Sequence, residues 1–126
     1  MSIRIMVVDD SIVIRKQIER VLRNTEFEIV GSAVDGSDAL AQFKQVRPHV
    51  VTMDLTMPRL NGIDTIKLMM EIDPSVKILV ISALKDKRTA MYAIRMGGYG
   101  FIYKPFSVTE LTQALTELFE DVKESL

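Results

Sequence analysis

Polar groups that could take part in metal or phosphoryl chemistry follow four apolar stretches of the chain. In chain order these groups are Asp9 and Asp10, then Asp54, then Ser82, and finally Lys104. The apolar stretches before them are short and nearly continuous, which is typical of strands buried on both faces of a parallel sheet. Because the carboxyl ends of parallel strands meet at one edge, we expect these side chains to converge there.

Three carboxylates at one edge repel one another unless a cation lies between them. Mg2+ prefers oxygen ligands and commonly binds one or two carboxylates together with phosphate oxygens. Lys104 adds a second positive charge, and the Ser82 hydroxyl can donate a hydrogen bond to a phosphoryl oxygen. An aspartate carboxylate is a competent nucleophile for phosphoryl transfer, where catalysis rests on alignment and charge neutralisation. These residue types therefore indicate a phosphoryl-accepting aspartate in a magnesium site.

Each of these residues also has a purely structural interpretation. Asp10 followed by Ser11 could cap a helix, Asp54 could begin a turn, and Lys104 could be a surface lysine. Their joint placement at the ends of four strands is harder to explain by structure alone and favours a functional site. The single histidine, His49, precedes the third strand and lies away from this edge. We expect it to have a structural or surface role.

Two hydrophobic periods alternate along the chain and predict five strands, each followed by a helix. The predicted strands cover residues 3–8, 27–33, 50–53, 76–81 and 101–103. Glu28 and Gly31 interrupt the second strand, which favours an edge position. In the last two helices the predicted buried faces include Met91 and Val108. This alternation predicts one α/β domain over residues 1–126, with a parallel sheet and helices on both faces.

The composition is that of an ordinary globular protein, with 48% hydrophobic and 26% charged residues in 126 positions. The absence of cysteine excludes disulfides, thiol catalysis and zinc–thiolate sites. The net charge of −1 gives no basic field for nucleic acid, and the short basic run Arg15-Lys16 is expected to be a solvated helix face. Without a signal-peptide pattern or a membrane-length apolar run, we expect a cytoplasmic protein that binds no membrane.

Over essentially its whole length the sequence resembles the response-regulator receiver domains. The matching segments are Val7-Val8-Asp9-Asp10-Ser11, Asp54-Leu55-Thr56-Met57-Pro58 with Asn61-Gly62, Ser82-Ala83, and Lys104-Pro105-Phe106. Their order and spacing agree with those of the family. The resemblance implies a doubly wound, flavodoxin-like sheet of five parallel strands in the order 2-1-3-4-5, flanked by five helices.

The resemblance also implies a role for each residue of the predicted magnesium site. Asp54 would be the phosphorylated residue. Asp9 and Asp10 would form the acidic pocket, with Asp10 as the more direct Mg2+ ligand. The backbone carbonyl of Thr56 would be the third protein ligand, and Lys104 would pair with the phosphoryl group.

A second set of residues would form the switch. Ser82 would move toward the phosphoryl oxygens, and Phe101 would turn inward, altering the face formed by the fourth helix, fifth strand and fifth helix. Phe101 stands where many family members have tyrosine, so no phenol hydroxyl is available there. Thr56 and Leu84 occupy the positions that tune dephosphorylation, and the apolar Leu84 implies a longer-lived phosphorylated form. The Lys104–Pro105 peptide bond would be cis.

We therefore expect a two-component signalling switch and not an enzyme that turns over an external substrate. A histidine kinase would supply the phosphoryl group. The segment 51–58 resembles stand-alone chemotaxis regulators, which implies a protein target such as the flagellar motor switch, with a phosphatase as another candidate partner. The protein would act as a monomer. There are two alternatives. The protein could be a phosphorelay intermediate, or a receiver cut from a larger regulator with a DNA-binding output domain.

Two further classes fit the sequence less well. Magnesium-dependent phosphatases with an aspartyl nucleophile carry two aspartates separated by one residue at a single strand end. Here Asp9 and Asp10 are adjacent, and Asp54 follows another strand. Interaction modules that work without phosphorylation commonly lack the acceptor or the lysine, whereas Asp54 and Lys104 are both present.

Overall fold

The computed structural model describes residues 2–55, 62–82 and 87–125, in which strands and helices alternate. The strands are β1 (Ile3–Val8), β2 (Phe27–Ala33), β3 (Val50–Asp54), β4 (Lys77–Ser82) and β5 (Gly100–Tyr103). The helices are α1 (Ile12–Leu22), α2 (Gly36–Val46), α3 (Gly62–Ile72), α4 (Lys87–Arg95) and α5 (Val108–Ser125). Each predicted strand is found within one residue of its predicted bounds. Among these helices, none is long and apolar enough to cross a membrane.

All five strands run parallel in one sheet with the order β2-β1-β3-β4-β5. This order confirms the predicted flavodoxin-like fold and places the interrupted strand β2 at an edge. Strands β1 and β3 are neighbours, with Val8 opposite Met53. The residues that follow this pair, Asp9 and Asp54, are therefore brought together by the sheet itself.

The sheet separates two hydrophobic layers. Phe43 of α2 belongs to the layer that also contains residues of α3 and α4, and Leu118 belongs to the layer of α1 and α5. Successive strand residues alternate between the layers, since Val50 faces the α1–α5 side and Val51 the other side. Burial on both faces fixes the register of the central strands and the positions at which they end.

Capping side chains define where two of the helices begin. Ser11 is the N-cap of α1, because its Oγ accepts a hydrogen bond from the Ile14 N–H at 3.4 Å. At the start of α5 the Glu110 N–H donates to Ser107 Oγ at 3.0 Å, and the Ser107 N–H donates to Glu110 Oε1 at 3.1 Å. This is the capping box that the sequence pattern predicts. The N-cap of α1 is therefore Ser11 and not Asp10.

Two residues expected on buried helix faces are exposed instead. Met91 is 56% exposed and Val108 is 58% exposed. In α4 the buried residues are Ala90 and Ala93, and Met91 lies about 100° further around the helix than Ala90. Val108 is the first residue of α5 and lies a turn before Leu111, the first buried residue of that helix. A prediction from helical spacing alone therefore assigned too many residues to the buried faces of these two helices.

His49 has a structural role at the amino end of the sheet. Its Nδ1 accepts a hydrogen bond from the Arg4 N–H at 3.0 Å, and its own N–H donates to the Arg4 carbonyl at 2.9 Å. The Arg4 guanidinium also donates to the carbonyls of Val46 and Arg47 at the end of α2. Burial, followed by the nearby Arg4 charge, lowers the pKa of His49 and favours the neutral, accepting imidazole.

The outer edge of β2 is covered by a side chain from α2. Gln42 Oε1 accepts a hydrogen bond from the Ser32 N–H at 3.1 Å, and Gln42 Nε2 donates to the Ser32 carbonyl at 2.8 Å. A Cβ atom at Gly31 would lie 2.8 Å from Gln42 Oε1, so the glycine makes room for the amide. This pairing occupies backbone groups that an edge strand could otherwise offer to another chain.

Replacing Gln42 with leucine should lower the free energy of unfolding by about 1–2 kcal/mol, because both hydrogen bonds to Ser32 are lost at similar side-chain size. Urea denaturation followed by circular dichroism measures the change. The matched control is Gln45→Leu, since Gln45 is an exposed residue of the same helix. Equal losses in the two variants would contradict the role given to Gln42.

Candidate functional site

Three carboxylates meet at the carboxyl edge of the sheet. Asp9, Asp10 and Asp54 each offer a carboxylate oxygen, and these oxygens lie within 4.8 Å of one another. Asp54 is the last residue of β3, and Asp9 and Asp10 directly follow β1. The pairing of β1 with β3 therefore brings the predicted acidic residues together.

Burial divides the acidic cluster into two parts. The side chains of Asp9 and Asp54 are each 1% exposed, whereas Asp10 is an exposed residue. Two of the negative charges are thus removed from water, and the third faces solvent. A cation that enters the cluster would contact buried and hydrated oxygens at the same time.

Lys104 supplies the positive charge at this cluster. Its Nζ lies 3.0 Å from Asp9 Oδ2 and 3.5 Å from Asp54 Oδ2. Lys104 directly follows β5, and its backbone N–H donates to the Ser82 carbonyl at 2.7 Å. The Lys104–Pro105 peptide bond is cis, the isomer that the family resemblance implies. One ammonium group therefore faces two buried carboxylates.

Burial raises the pKa of the Asp9 carboxyl, and the neighbouring Asp54 charge acts in the same direction. The Ser11 N–H, which donates to Asp9 Oδ1 at 2.8 Å, and the Lys104 ammonium both oppose this rise. The net direction is upward, so the folded protein holds ionised Asp9 at a free-energy cost. A further cation at the cluster would reduce that cost.

Ser82 and Phe101 lie on the last two strands of the sheet. Ser82 is the final residue of β4, is 2% exposed and pairs with Tyr103 of β5. Phe101 is 39% exposed, and its ring packs edge-on against the Tyr103 ring with centroids 5.3 Å apart. An inward turn of Phe101 would therefore change both its exposure and its contact with Tyr103.

Two of the predicted site residues lie outside the described residues. They are Thr56 and Leu84, the two positions expected to tune dephosphorylation. The same applies to the Thr56 backbone carbonyl, which the resemblance implies as a Mg2+ ligand. The described part of the site consists of the acidic cluster, Lys104, Ser82 and Phe101.

Gly62, at the start of α3, contributes to the site in a way that the sequence analysis missed. A Cβ atom there would lie 2.7 Å from the Asp54 carbonyl oxygen and 2.7 Å from Leu55 Cα. Helix α3 therefore packs against the backbone that carries Asp54 more closely than any side chain allows. The sequence analysis named Gly62 only within a segment that resembles the family, whereas the folded chain places this glycine against the Asp54 backbone.

The donor set of the cluster fits Mg2+. All of the donors are carboxylate oxygens, and the exposed Asp10 leaves room for the water ligands that Mg2+ usually retains. Lys104 compensates one negative charge, so three ionised carboxylates keep an excess of negative charge. Asp9, Asp10 and Asp54 are therefore suited to hold a hard divalent cation.

A doubly wound parallel sheet with an acidic cluster and a facing lysine at its carboxyl edge defines the receiver class of signalling domains. The family model described as the response regulator receiver domain matches residues 5–116 of this chain. The protein therefore belongs to the response regulator receiver domain family.

Several of its relatives are chemotaxis proteins. The chemotaxis protein CheY of Thermotoga maritima is 38% identical over 118 residues, which are 94% of this chain and 98% of that protein. The chemotaxis protein CheY of Bacillus subtilis is 35% identical over 117 residues, or 93% of this chain and 98% of that protein. A chain in the crystal structure of the CheX-CheY-BeF3-Mg2+ complex from Borrelia burgdorferi matches with a TM-score of 0.88 and 29% identity, covering 93% and 89% of the two chains. The chain is thus similar to CheY proteins over nearly its whole length.

Replacing Asp9 with asparagine should raise the free energy of unfolding of the metal-free protein, because a buried carboxyl with a raised pKa is removed. The folded state binds the Asp9 proton more tightly than the unfolded state does. Wild-type stability should therefore fall, relative to the variant, as pH rises from the ordinary value of 3.8 through the raised pKa. Urea denaturation in chelator between about pH 4 and pH 8 tests both statements.

Asp35→Asn is the matched control for this measurement. Asp35 is also buried, but it caps α2 by accepting a hydrogen bond from the Asp38 N–H at 2.8 Å, and asparagine preserves that cap. Added Mg2+ should stabilise the wild type and reduce the advantage of Asp9→Asn. An Asp9→Asn variant that is less stable than wild type in chelator would refute the cost assigned to Asp9.

Proposed function

We propose that the protein is a two-component response regulator that accepts a phosphoryl group from a histidine kinase on Asp54 in a Mg2+-dependent reaction. The observation that carries this proposal is the position of the buried Asp54 carboxylate, which lies in the acidic cluster with its Oδ2 3.5 Å from Lys104 Nζ. Membership of the receiver family supports the same assignment.

In the proposed reaction an Asp54 carboxylate oxygen attacks the phosphorus atom of a phosphohistidine. A P–O bond forms at Asp54, the P–N bond to the imidazole breaks, and the departing imidazole takes a proton from solvent. Asp10, Asp54 and the Thr56 carbonyl would hold Mg2+, with Asp9 completing the acidic pocket. The bound ion would neutralise charge on the phosphoryl oxygens.

Lys104 would act before and after the transfer. Phosphorylation converts the singly charged Asp54 carboxylate into an acyl phosphate with nearly two charges and additional acceptor oxygens. The Lys104 ammonium already lies 3.5 Å from Asp54 Oδ2 and 3.0 Å from Asp9 Oδ2. A small movement would therefore let it pair with a phosphoryl oxygen while it remains close to Asp9.

Ser82 and Phe101 would convert the new charge into a change of surface. The Ser82 hydroxyl would turn toward the phosphoryl oxygens, and the space it leaves would accept the Phe101 ring. Phe101 is 39% exposed before this change, so its inward turn would remove an apolar ring from the surface of β5. A target that binds only one of the two arrangements would then distinguish the two states.

We propose chemotaxis as the pathway and the flagellar motor switch as the target, bound through the face formed by α4, β5 and α5. The CheY proteins of T. maritima and B. subtilis support a chemotaxis role. Met91 of α4, Tyr99 directly before β5 and Phe101 of β5 are exposed large apolar or aromatic side chains, of the kind that anchors protein partners. The solved CheX–CheY complex from B. burgdorferi supports a protein as the class of partner. A phosphatase is the second proposed partner.

The protein would work as a cytoplasmic, monomeric switch over residues 1–126, and not as an enzyme with an external substrate. The same phosphoryl chemistry would serve a phosphorelay intermediate or the receiver part of a regulator with a DNA-binding output domain. The identity of 38% over 98% of the T. maritima CheY favours the chemotaxis assignment over these alternatives.

Incubation with acetyl phosphate and Mg2+ should add one phosphoryl group to the wild type and none to Asp54→Asn, because the variant lacks the nucleophilic carboxylate. Intact-mass spectrometry measures the labelling, and chelator should abolish it. Asp35→Asn is the matched control, since it removes a buried carboxylate outside the acidic cluster and should be labelled like the wild type. Labelling that survives in Asp54→Asn would show that another residue is the acceptor.

Binding of the purified flagellar motor switch protein should be at least tenfold tighter with BeF3− and Mg2+ than with Mg2+ alone, and Phe101→Ala should lose most of this difference because the switch ring is gone. Calorimetric titration measures both affinities. Leu68→Ala is the matched control, because Leu68 is 38% exposed on α3, away from the proposed face. Equal affinities in the two states would point to the phosphorelay alternative, which transfer to a histidine phosphotransferase would then test.

A further inference from the structure

Arg15 of α1 contacts the backbone of the acidic cluster. Its Nη1 donates a hydrogen bond to the Asp9 carbonyl oxygen at 2.6 Å, and the residue is partly buried. The sequence analysis treated Arg15 as part of a solvated helix face, and this contact corrects that expectation for Arg15. None of the roles assigned so far to the motif residues, and no step of the proposed phosphoryl chemistry, uses this contact.

The carbonyl that Arg15 holds belongs to the peptide group joining Asp9 to Asp10. The backbone N–H of Asp9 donates a hydrogen bond to the Ala33 carbonyl at 3.0 Å. Its Oδ1 accepts from the Ser11 N–H at 2.8 Å, and its Oδ2 pairs with Lys104 Nζ at 3.0 Å. Asp9 is therefore fixed in four directions, and the Arg15 contact fixes the peptide group that directly precedes Asp10.

Asp10 differs from Asp9 because it is exposed. The direction in which its carboxylate leaves the sheet depends on the orientation of the peptide plane before it. A hydrogen bond from a charged guanidinium to that peptide is strong, since bonds that involve an ionised group contribute more than neutral ones. Arg15 is thus placed to control where the solvent-facing carboxylate of the cluster points.

We propose that Arg15 is a positioning residue for the cation site, which holds the Asp9–Asp10 peptide so that the Asp10 carboxylate is directed toward Asp54. This inference rests on the proposed Mg2+-dependent function. Arg15 does not need to touch the ion or the phosphoryl group in this role. It acts as groups that support metal ligands do, by fixing the orientation of a ligand.

The positioning role and the charge of Arg15 predict opposite effects on Mg2+ binding. A guanidinium close to a cation site repels the cation, so removal of its charge alone would tighten Mg2+ binding. Removal of the support for Asp10 would weaken binding, by about tenfold for a typical supporting contact. The sign of the change therefore separates the two effects.

The test is calorimetric titration of MgCl2 into the metal-free protein and its variants. Arg15→Met, which keeps a long side chain but has no donor, should raise the Kd for Mg2+ about tenfold. Arg15→Lys keeps the charge and a donor but loses the planar fork, and should show a smaller increase. Arg20→Met is the matched control, because Arg20 is an exposed arginine of the same helix, and its Kd should equal that of the wild type.

A second measurement does not involve the ion. In chelator, hydrogen–deuterium exchange should be faster at the amides of residues 9–12 in Arg15→Met and unchanged there in Arg20→Met. If Arg15→Met fails to fold, Arg15→Lys carries both measurements, with Arg20→Lys as its control. An unchanged or lower Kd in the Arg15 variant, or exchange that rises evenly over the whole chain, would overturn the positioning role.

The outcomes also separate this inference from the proposed function. A wild type that neither binds Mg2+ nor accepts a phosphoryl group on Asp54 would refute the function, and the role of Arg15 with it. A wild type that binds Mg2+ and is labelled, together with an Arg15→Met variant of equal Mg2+ affinity, would refute the role of Arg15 alone.

Discussion

The burial of two carboxylates beside a third is the constraint around which the rest of the site is arranged. Removing an ionised carboxylate from water costs several kcal/mol even after the protein relaxes around it. Asp9 and Asp54 are each 1% exposed, and one ammonium group, that of Lys104, pairs with both. The cluster therefore retains an unbalanced negative charge, which a divalent cation and the groups it carries can satisfy. A site built in this way favours ligands that bring positive charge.

The sheet order makes this arrangement possible and also connects it to the surface. Strands β1 and β3 are adjacent, so Asp9 and Asp54 are brought together by backbone pairing, whereas Lys104 reaches them from the end of β5. Phe101 lies on β5, three residues before Lys104, which directly follows that strand. A displacement of Lys104 and a displacement of Phe101 are thus connected through four consecutive residues at the end of β5, whose partner β4 ends in Ser82. The carboxyl edge and the α4–β5–α5 face therefore share a mechanical element.

Local patterns in the sequence were sufficient to predict most of the secondary structure. Four near-continuous apolar runs and one interrupted run predicted the five strands, and the Ser107–Glu110 pair predicted the start of α5, because these features depend on neighbouring residues. The sheet order came from the family resemblance, since periodicity does not state which strands pair. Met91 and Val108 were misplaced for a related reason. Helical spacing marks the side that could be buried, but burial depends on which element packs there.

The difference between features set by neighbouring residues and features set by packing between elements also explains what the sequence analysis found and missed at the site. Residue type and strand ends indicated the carboxylates and Lys104, because each follows an apolar run. Gly62 and Arg15 act on backbone groups of other elements, namely the Asp54 carbonyl and the Asp9 carbonyl. A backbone acceptor has no side-chain signature, so a residue that contacts one cannot be recognised from spacing.

The adjacent residues Asp9 and Asp10 illustrate how one motif can hold two different functions. Asp9 is buried, and both of its carboxylate oxygens have partners: the Ser11 N–H on Oδ1 and Lys104 Nζ on Oδ2. A cation that bound Asp9 Oδ2 directly would have to compete with the ammonium group 3.0 Å away. Asp10 is exposed and keeps its carboxylate accessible. Asp9 is therefore suited to hold Lys104 and the Ser11 backbone in place, and Asp10 is suited to bind the ion. If Asp9 were exposed and Asp10 buried instead, the carboxylate that anchors Lys104 would be hydrated.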